Sequence, residues 1–377
     1  MIFRLSALGA ILLLTLAGCV SPDRRAGSNR IAVPDGKIDG APVNIALDTG
    51  AGGNVIFRPA AFRIGLRVRS VKPMANVPDG RVAYTGLARC ELTAFGKRKE
   101  TLFYVIDTPK SVPPDVEAVV GWPEVRDKVF SLDAEARKIR FLRRAPASSA
   151  WVRLPYDPNS EILTVYWPGS AKFLGLDTGY EGGAMLDTPT WQRWRSTHSS
   201  AQTTVRGAFW PGIGLVANEE AWADALSLGP LQLTQSPISA AGKHQLLNPP
   251  PGLVASLGVA AIQRFDVIVD GEHHCLLLRP RVTPALPYHH NRAGVTFLPR
   301  SEHETALIAH VAPHTPASDA GIRDGDQLLA INGATDSVQH QWNLYGRSGE
   351  ILILTLRRDG KIFRTELVLR NLLGPSA

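Results

Sequence analysis

The chain has 377 residues, 44% hydrophobic and 20% charged, enough apolar material for two or three buried cores, which excludes a globally disordered protein. Lysine and arginine number 41 against 34 aspartate and glutamate, a net charge of +7 that by itself fits an acidic partner such as nucleic acid or a membrane surface. The N-terminus excludes nucleic acid, because it reads as an export signal.

Residues 1–18 carry one charged side chain, Arg4, ahead of an apolar run from Leu5 to Leu16 that is too short to span a bilayer stably. The ending Leu16-Ala17-Gly18-Cys19 resembles a bacterial lipobox. That resemblance implies cleavage before Cys19, lipidation of its thiol and a membrane tether over residues 19–30. Val20 after the cysteine implies sorting to the outer membrane, with the protein facing the periplasm. Cys90 and Cys275 remain; sequence leaves their pairing open, and two free thiols buried in strands are the expected state.

From Ile31 to Arg144 short apolar runs alternate with Gly and Pro, the pattern of a mostly β chain. The run Val43–Leu47 delivers Asp48, Thr49, Gly50 and Ala51, so a strand presents a carboxylate at its end and turns away at glycine. The design recurs at Phe173–Leu176 followed by Asp177, Thr178, Gly179 and Tyr180. Each copy leads to an apolar turn ending in glycine, Ala118-Val119-Val120-Gly121 and Ala255-Ser256-Leu257-Gly258. Beyond those glycines the halves align without a gap, Phe130 with Val267, Leu132 with Val269 and Asp133 with Asp270, and each closes as a hairpin. Two homologous lobes are therefore expected over 31–144 and 151–282. Within them Asp79-Gly80 and the segment holding Phe209 and Trp210 are candidate flap tips over an extended substrate, and Glu219–Leu226 predicts a short helix.

The paired Asp-Thr-Gly loops, each with its glycine turn, resemble the aspartic peptidases, and the short lobes favour the retropepsin-like branch. The resemblance implies a two-lobed acid-protease-like β fold with pseudo-twofold symmetry, and Asp48 and Asp177 as the catalytic pair. It further implies that Thr49 and Thr178 lock the loops across the axis, Gly50 and Gly179 let the backbone approach, and Gly121 and Gly258 pack beneath. Two carboxylates this close cannot both ionise cheaply, so one keeps its proton while the other activates water against a peptide carbonyl. The reaction so implied is endopeptidase hydrolysis of a polypeptide, with no metal and no cofactor, and two lobes in one chain predict a monomer. Tyr180 stands where the family has a small residue, and Glu181-Gly182-Gly183 is also unusual. These departures keep open a second reading, a catalytically inactive lipoprotein that binds peptides as an adaptor or chaperone.

After the proline-rich segment Arg279–Pro287 the composition changes. Ile308 to Gly333, with its Ala-Gly-Ile-Arg-Asp-Gly-Asp core, and the hairpin Ile351–Leu369 resemble a bacterial PDZ domain over 290–373, a small β-barrel or sandwich with short helices. The resemblance implies a peptide or C-terminal ligand added as a strand at Gly294, Val295, Thr296 and Phe297, recruiting or positioning substrate. Glu272-His273-His274-Cys275 is read as a hairpin tip without metal, since adjacent strand side chains point opposite ways. Asp107-Thr108-Pro109 and Asp187-Thr188-Pro189 are read as decoys, because proline cannot replace the loop glycine.

Overall fold

The computed structural model describes residues 30–71, 84–107, 115–147, 149–210, 214–241, 252–284, 286–299, 306–335 and 341–374. The leader, Cys19, Asp79 and Gly80 lie outside the described residues. The chain is mostly β, as its punctuated apolar runs predict.

The strand Ile45–Asp48 is buried along its whole length. It pairs antiparallel with Ile31–Val33 on one side and parallel with Ala118–Gly121 on the other, which sets Asp48 opposite Gly121. Asn54–Phe57 runs antiparallel to Ala118–Gly121 and parallel to Lys97–Ile106, and the latter forms a hairpin with Tyr84–Ala94. The runs Ile-Ala-Leu-Asp, Asn-Val-Ile-Phe and Ala-Val-Val-Gly do not alternate because both faces of these strands are covered.

The same order appears around the second Asp-Thr-Gly loop. Phe173–Leu176 pairs parallel with Leu253–Leu257, and Ala184–Leu186 runs antiparallel to that strand and parallel to Leu231–Ala240. A hairpin partner follows, Gly214–Leu228, and then Thr203–Trp210 at the edge. A helix succeeds the third strand in each set, Arg58–Arg63 and Thr188–Thr197. The second is capped by Asp187, whose carboxylate accepts the Thr190 N–H at 2.9 Å, so Asp187-Thr188-Pro189 is a helix start.

The two terminal hairpins, Val129–Asp133 with Lys138–Phe141 and Phe265–Asp270 with Cys275–Pro280, join in one sheet. Phe130 pairs with Val269 and Leu132 with Val267. Because the sequence alignment equates Phe130 with Val267 and Leu132 with Val269, exchanging the two halves maps each pair onto the other. Cys90 and Cys275 are free and buried.

Glu219–Leu226 is not a helix. It lies inside the 15-residue strand Gly214–Leu228, paired on both sides. Its Ala, Glu and Leu favour a helix in isolation, but two ladders and the burial of Ala221, Ala223 and Leu226 override that preference.

Residues 293–369 have their own apolar core, including Val295, Phe297, Ile331, Leu354 and Leu356. Five strands run in the order Val295–Pro299, Leu307–Val311, Gln327–Ile331, Ile351–Arg358 and Lys361–Val368. A short helix, Pro316–Asp319, starts at a capping box between Thr315 and Ser318, and a single 3₁₀ turn spans Gln341–Tyr345.

Candidate active site

Asp48 and Asp177 each stand at the end of a buried strand, and they are 1% and 3% exposed. The chain turns sharply after each, so the next amides fold back on the carboxylate. Gly50 N–H donates to Asp48 Oδ1 at 2.9 Å, and Gly179 and Tyr180 N–H donate to Asp177 Oδ1 at 2.9 and 3.1 Å.

The threonines join the loops reciprocally. Thr49 Oγ1 donates to the Leu176 carbonyl at 2.7 Å and accepts the Thr178 N–H at 3.1 Å. Thr178 Oγ1 donates to the Leu47 carbonyl at 2.8 Å and accepts the Thr49 N–H at 3.0 Å. Each hydroxyl thus satisfies one buried donor and one buried acceptor of the opposite loop, which serine or threonine can do and an apolar side chain cannot.

This exchange packs each carboxyl against the glycine of the opposite loop. A Cβ on Gly50 would stand 2.6 Å from the Asp177 carboxyl carbon, and one on Gly179 would collide with the Asp48 carboxyl. Burial, and then the charge of Asp177, push the Asp48 carboxyl well above the usual range, against the opposing pull of Arg30 and the Gly50 amide. Asp48 Oδ2 is buried and accepts from no protein donor among the described residues, which makes it the natural seat for a proton.

Residues 34–121 match the family model of the aspartyl proteases. No curated protein matches the chain. The aspartyl protease match covers Asp48, Thr49, Gly50 and Gly121 and stops before the Asp177 loop.

Beneath the loops sit the two glycine turns. A Cβ on Gly121 would approach the Ala51 carbonyl at 2.5 Å, and one on Gly258 would collide with the Tyr180 ring and the Gly182 carbonyl. Trp122 N–H donates to Ala51 O at 2.9 Å and Val259 N–H to Tyr180 O at 2.7 Å, tying each turn to its loop. Tyr180 does not point into open space. Its ring is 1% exposed, its hydroxyl meets Ser239 Oγ at 3.1 Å, and the neighbouring Gly182 leaves room for it. Tyr180 and Gly182 are therefore fitted to each other.

Sequence reasoning missed Arg30, which it assigned to the tether. Arg30 is 4% exposed and its Nη1 donates to the Gly179 carbonyl at 2.7 Å, so it belongs to the lobe that was expected to start at residue 31. Nothing local marks it. Its position follows from the register Ile31 to Leu47, which sets Arg30 opposite Asp48.

The remaining sequence candidates are dispersed. Phe209 and Trp210 end the strand Thr203–Trp210, whose partner resumes at Gly214. Gly294 takes a positive φ of 73° against Thr315, and Val295, Thr296 and Phe297 lie buried in an edge strand more than the length of a lobe away in sequence. Asp270, Glu272 and His273 come together at the hairpin tip, where His273 Nδ1 bonds Asp270 at 2.9 Å, while His274 turns away with φ 50° and Cys275 enters the next strand.

Proposed function

We propose that the chain is an aspartic endopeptidase whose catalytic pair is Asp48 and Asp177. The aspartyl protease match over 34–121 supports protease chemistry at the coarse level. The observation that carries the finer reading is the reciprocal threonine exchange, which holds two buried carboxyl groups against each other's glycine.

One proton is shared by the pair. The ionised carboxylate takes a proton from water as the water oxygen bonds to the peptide carbonyl carbon, and the protonated carboxyl donates to the carbonyl oxygen. Collapse of the tetrahedral species breaks the C–N bond, and a carboxyl proton passes to the leaving nitrogen. The step balances with the two carboxyls and one water, and it forms no covalent enzyme intermediate. Both loops belong to one chain, so one chain carries a complete site.

The repeated strand order and the self-exchanging register of Phe130–Val269 and Leu132–Val267 support two lobes related by a pseudo-twofold axis. The five-stranded unit at 295–368, with its short helix and turn, supports the PDZ reading of the C-terminus. Attachment to the periplasmic face of the outer membrane through lipidated Cys19 belongs to the same proposal and rests on sequence alone.

The test is cleavage of an unfolded protein by the chain from residue 20 onward, from acid to neutral pH. Fragments from the wild type and none from Asp48→Asn or Asp177→Asn are expected. A folded wild-type chain that binds peptides and leaves them whole would replace this reading with that of a binding lipoprotein.

A further inference from the structure

The strand on which a PDZ domain adds a peptide is Val295–Pro299, an edge of its sheet. Two of its polar groups, the Val295 carbonyl and the Phe297 N–H, are already taken by the chain's own side chains. Asn291, fully buried, accepts the Ala293 and Gly294 N–H groups on Oδ1 at 2.9 and 3.1 Å, and its Nδ2 donates to the Val295 carbonyl at 2.7 Å. Of these groups, the Gly294 N–H and the Val295 carbonyl lie in the segment where the PDZ resemblance places the peptide. The Phe297 N–H, which would pair with an added strand, donates instead to Gln341 Oε1 at 3.0 Å.

The outer face of the same strand is also covered. Val295 and Phe297 point into the C-terminal core, so the alternating Thr296 and Leu298 point away from it, yet they are only 4% and 6% exposed. The hairpin strand Thr203–Trp210 lies on them. A Cβ on Gly207 would stand 2.7 Å from Thr296 Oγ1 and 3.3 Å from Leu298 Cδ2, so the approach depends on glycine.

Polar contacts fix this seat. Thr204 Oγ1 donates to the Asn291 carbonyl at 2.7 Å, and Gln202 Nε2 donates to the His314 carbonyl at 3.1 Å. Arg206 and Glu220, both buried on the hairpin, pair at 2.8 Å; the Tyr288 hydroxyl donates to Glu220 at 2.9 Å and accepts from Arg206. The seat also touches the second catalytic loop. Glu220 lies opposite Ser239 in the ladder, and Ser239 meets the hydroxyl of Tyr180, three residues beyond Asp177.

We infer that the ligand edge of the C-terminal module is reserved for its own chain: it braces the paired strands Thr203–Trp210 and Gly214–Leu228, and a peptide with a free carboxylate enters only by displacing that brace. The inference rests on the PDZ reading for the ligand and on the contacts above for the brace. By reciprocity, whatever opens the edge loosens the hairpin, and whatever frees the hairpin uncovers the edge.

The experiment uses the chain from residue 20 onward and two variants whose changed side chains point away from the module core, Leu298→Asp and Thr296→Arg. Hydrogen exchange over 203–228 should accelerate at least about tenfold in both, with protection of Ile351–Val368 unchanged. Unchanged protection of the hairpin overturns the brace. Random-sequence peptides with free or amidated C-termini are then titrated in parallel. The wild type should bind neither set, and Leu298→Asp should gain binding that needs the free carboxylate. Wild-type binding as tight as the variant's overturns the inference. A loosened hairpin with no peptide bound by any chain upholds the brace and defeats the PDZ reading.

Discussion

Thr49 and Thr178, 129 residues apart, exchange hydrogen bonds in both directions, each hydroxyl accepting the other's backbone N–H. The second bond of each hydroxyl reaches the carbonyl just before the opposite aspartate's strand ends, Leu176 for Thr49 and Leu47 for Thr178. Four bonds at 1% exposure thus join the two halves directly below the carboxyl pair.

Thr49→Ala or Thr178→Ala leaves an amide and a carbonyl buried without partners. Each should cost about 1–3 kcal/mol of stability, read by urea denaturation, and should lower activity further by letting the carboxyls drift. Serine at either position keeps the hydroxyl, so Thr49→Ser should stay within about 1 kcal/mol of wild type.

Gly50→Ala and Gly179→Ala place a methyl group against the opposite carboxyl. Both should abolish turnover, read as kcat/KM, while the fold survives with a loss of about 1–3 kcal/mol. A Gly179→Ala enzyme with unaltered turnover would mean that the two loops do not face each other as described.

Arg30 pulls the Asp48 carboxyl downward, against burial and the charge of Asp177. Arg30→Gln removes that pull, so Asp48 should titrate higher still, and the alkaline limb of the activity profile, where the protonated carboxyl is lost, should move to higher pH. Carbon-13 titration of the aspartate carboxyls checks this without requiring turnover. Because the folded carboxyl lies above its unfolded value, Asp48 stabilises the fold at pH below the unfolded value, and that contribution fades as pH rises through the folded one.

His290 works in the opposite sense. Its Nδ1–H donates to the Tyr288 carbonyl at 2.9 Å and Nε2 accepts the Leu372 and Leu373 amides at 3.0 and 3.2 Å, a pattern only the neutral ring can make. Burial pushes it down from 6.5 to about 4, with the charges of Arg292, His289 and Arg206 adding to the effect against the Tyr288 carbonyl. The unfolded chain takes up this proton first, so stability present above 6.5 is lost as pH falls toward 4, by roughly 3 kcal/mol. Urea denaturation across that interval should show a shallower pH dependence in His290→Gln than in wild type.

The parts of this arrangement that could be read from sequence are those written locally. The Asp-Thr-Gly repeats, their glycine turns and the terminal hairpins carry their signals within a few residues, and the structure sets them in corresponding positions of two similar strand orders. Glu219–Leu226 was misread because its helix-favouring composition yields to ladders on both sides. Arg30 was invisible because it meets the Asp177 loop only through the register of another strand pair. The contacts on the strand Val295–Pro299 were invisible for the same reason: Gln341 reaches Phe297 from 44 residues away, and Gly207 reaches Thr296 from a different unit of the chain.

The most direct test of the central claim is a double-mutant cycle on the pair, measuring kcat/KM for wild type, Asp48→Asn, Asp177→Asn and the double variant on one peptide substrate. Two carboxyls acting as a unit predict that each single change costs roughly a thousandfold or more and that the double change costs little beyond either. Losses that multiply, or one single variant near wild-type activity, would contradict a shared catalytic pair.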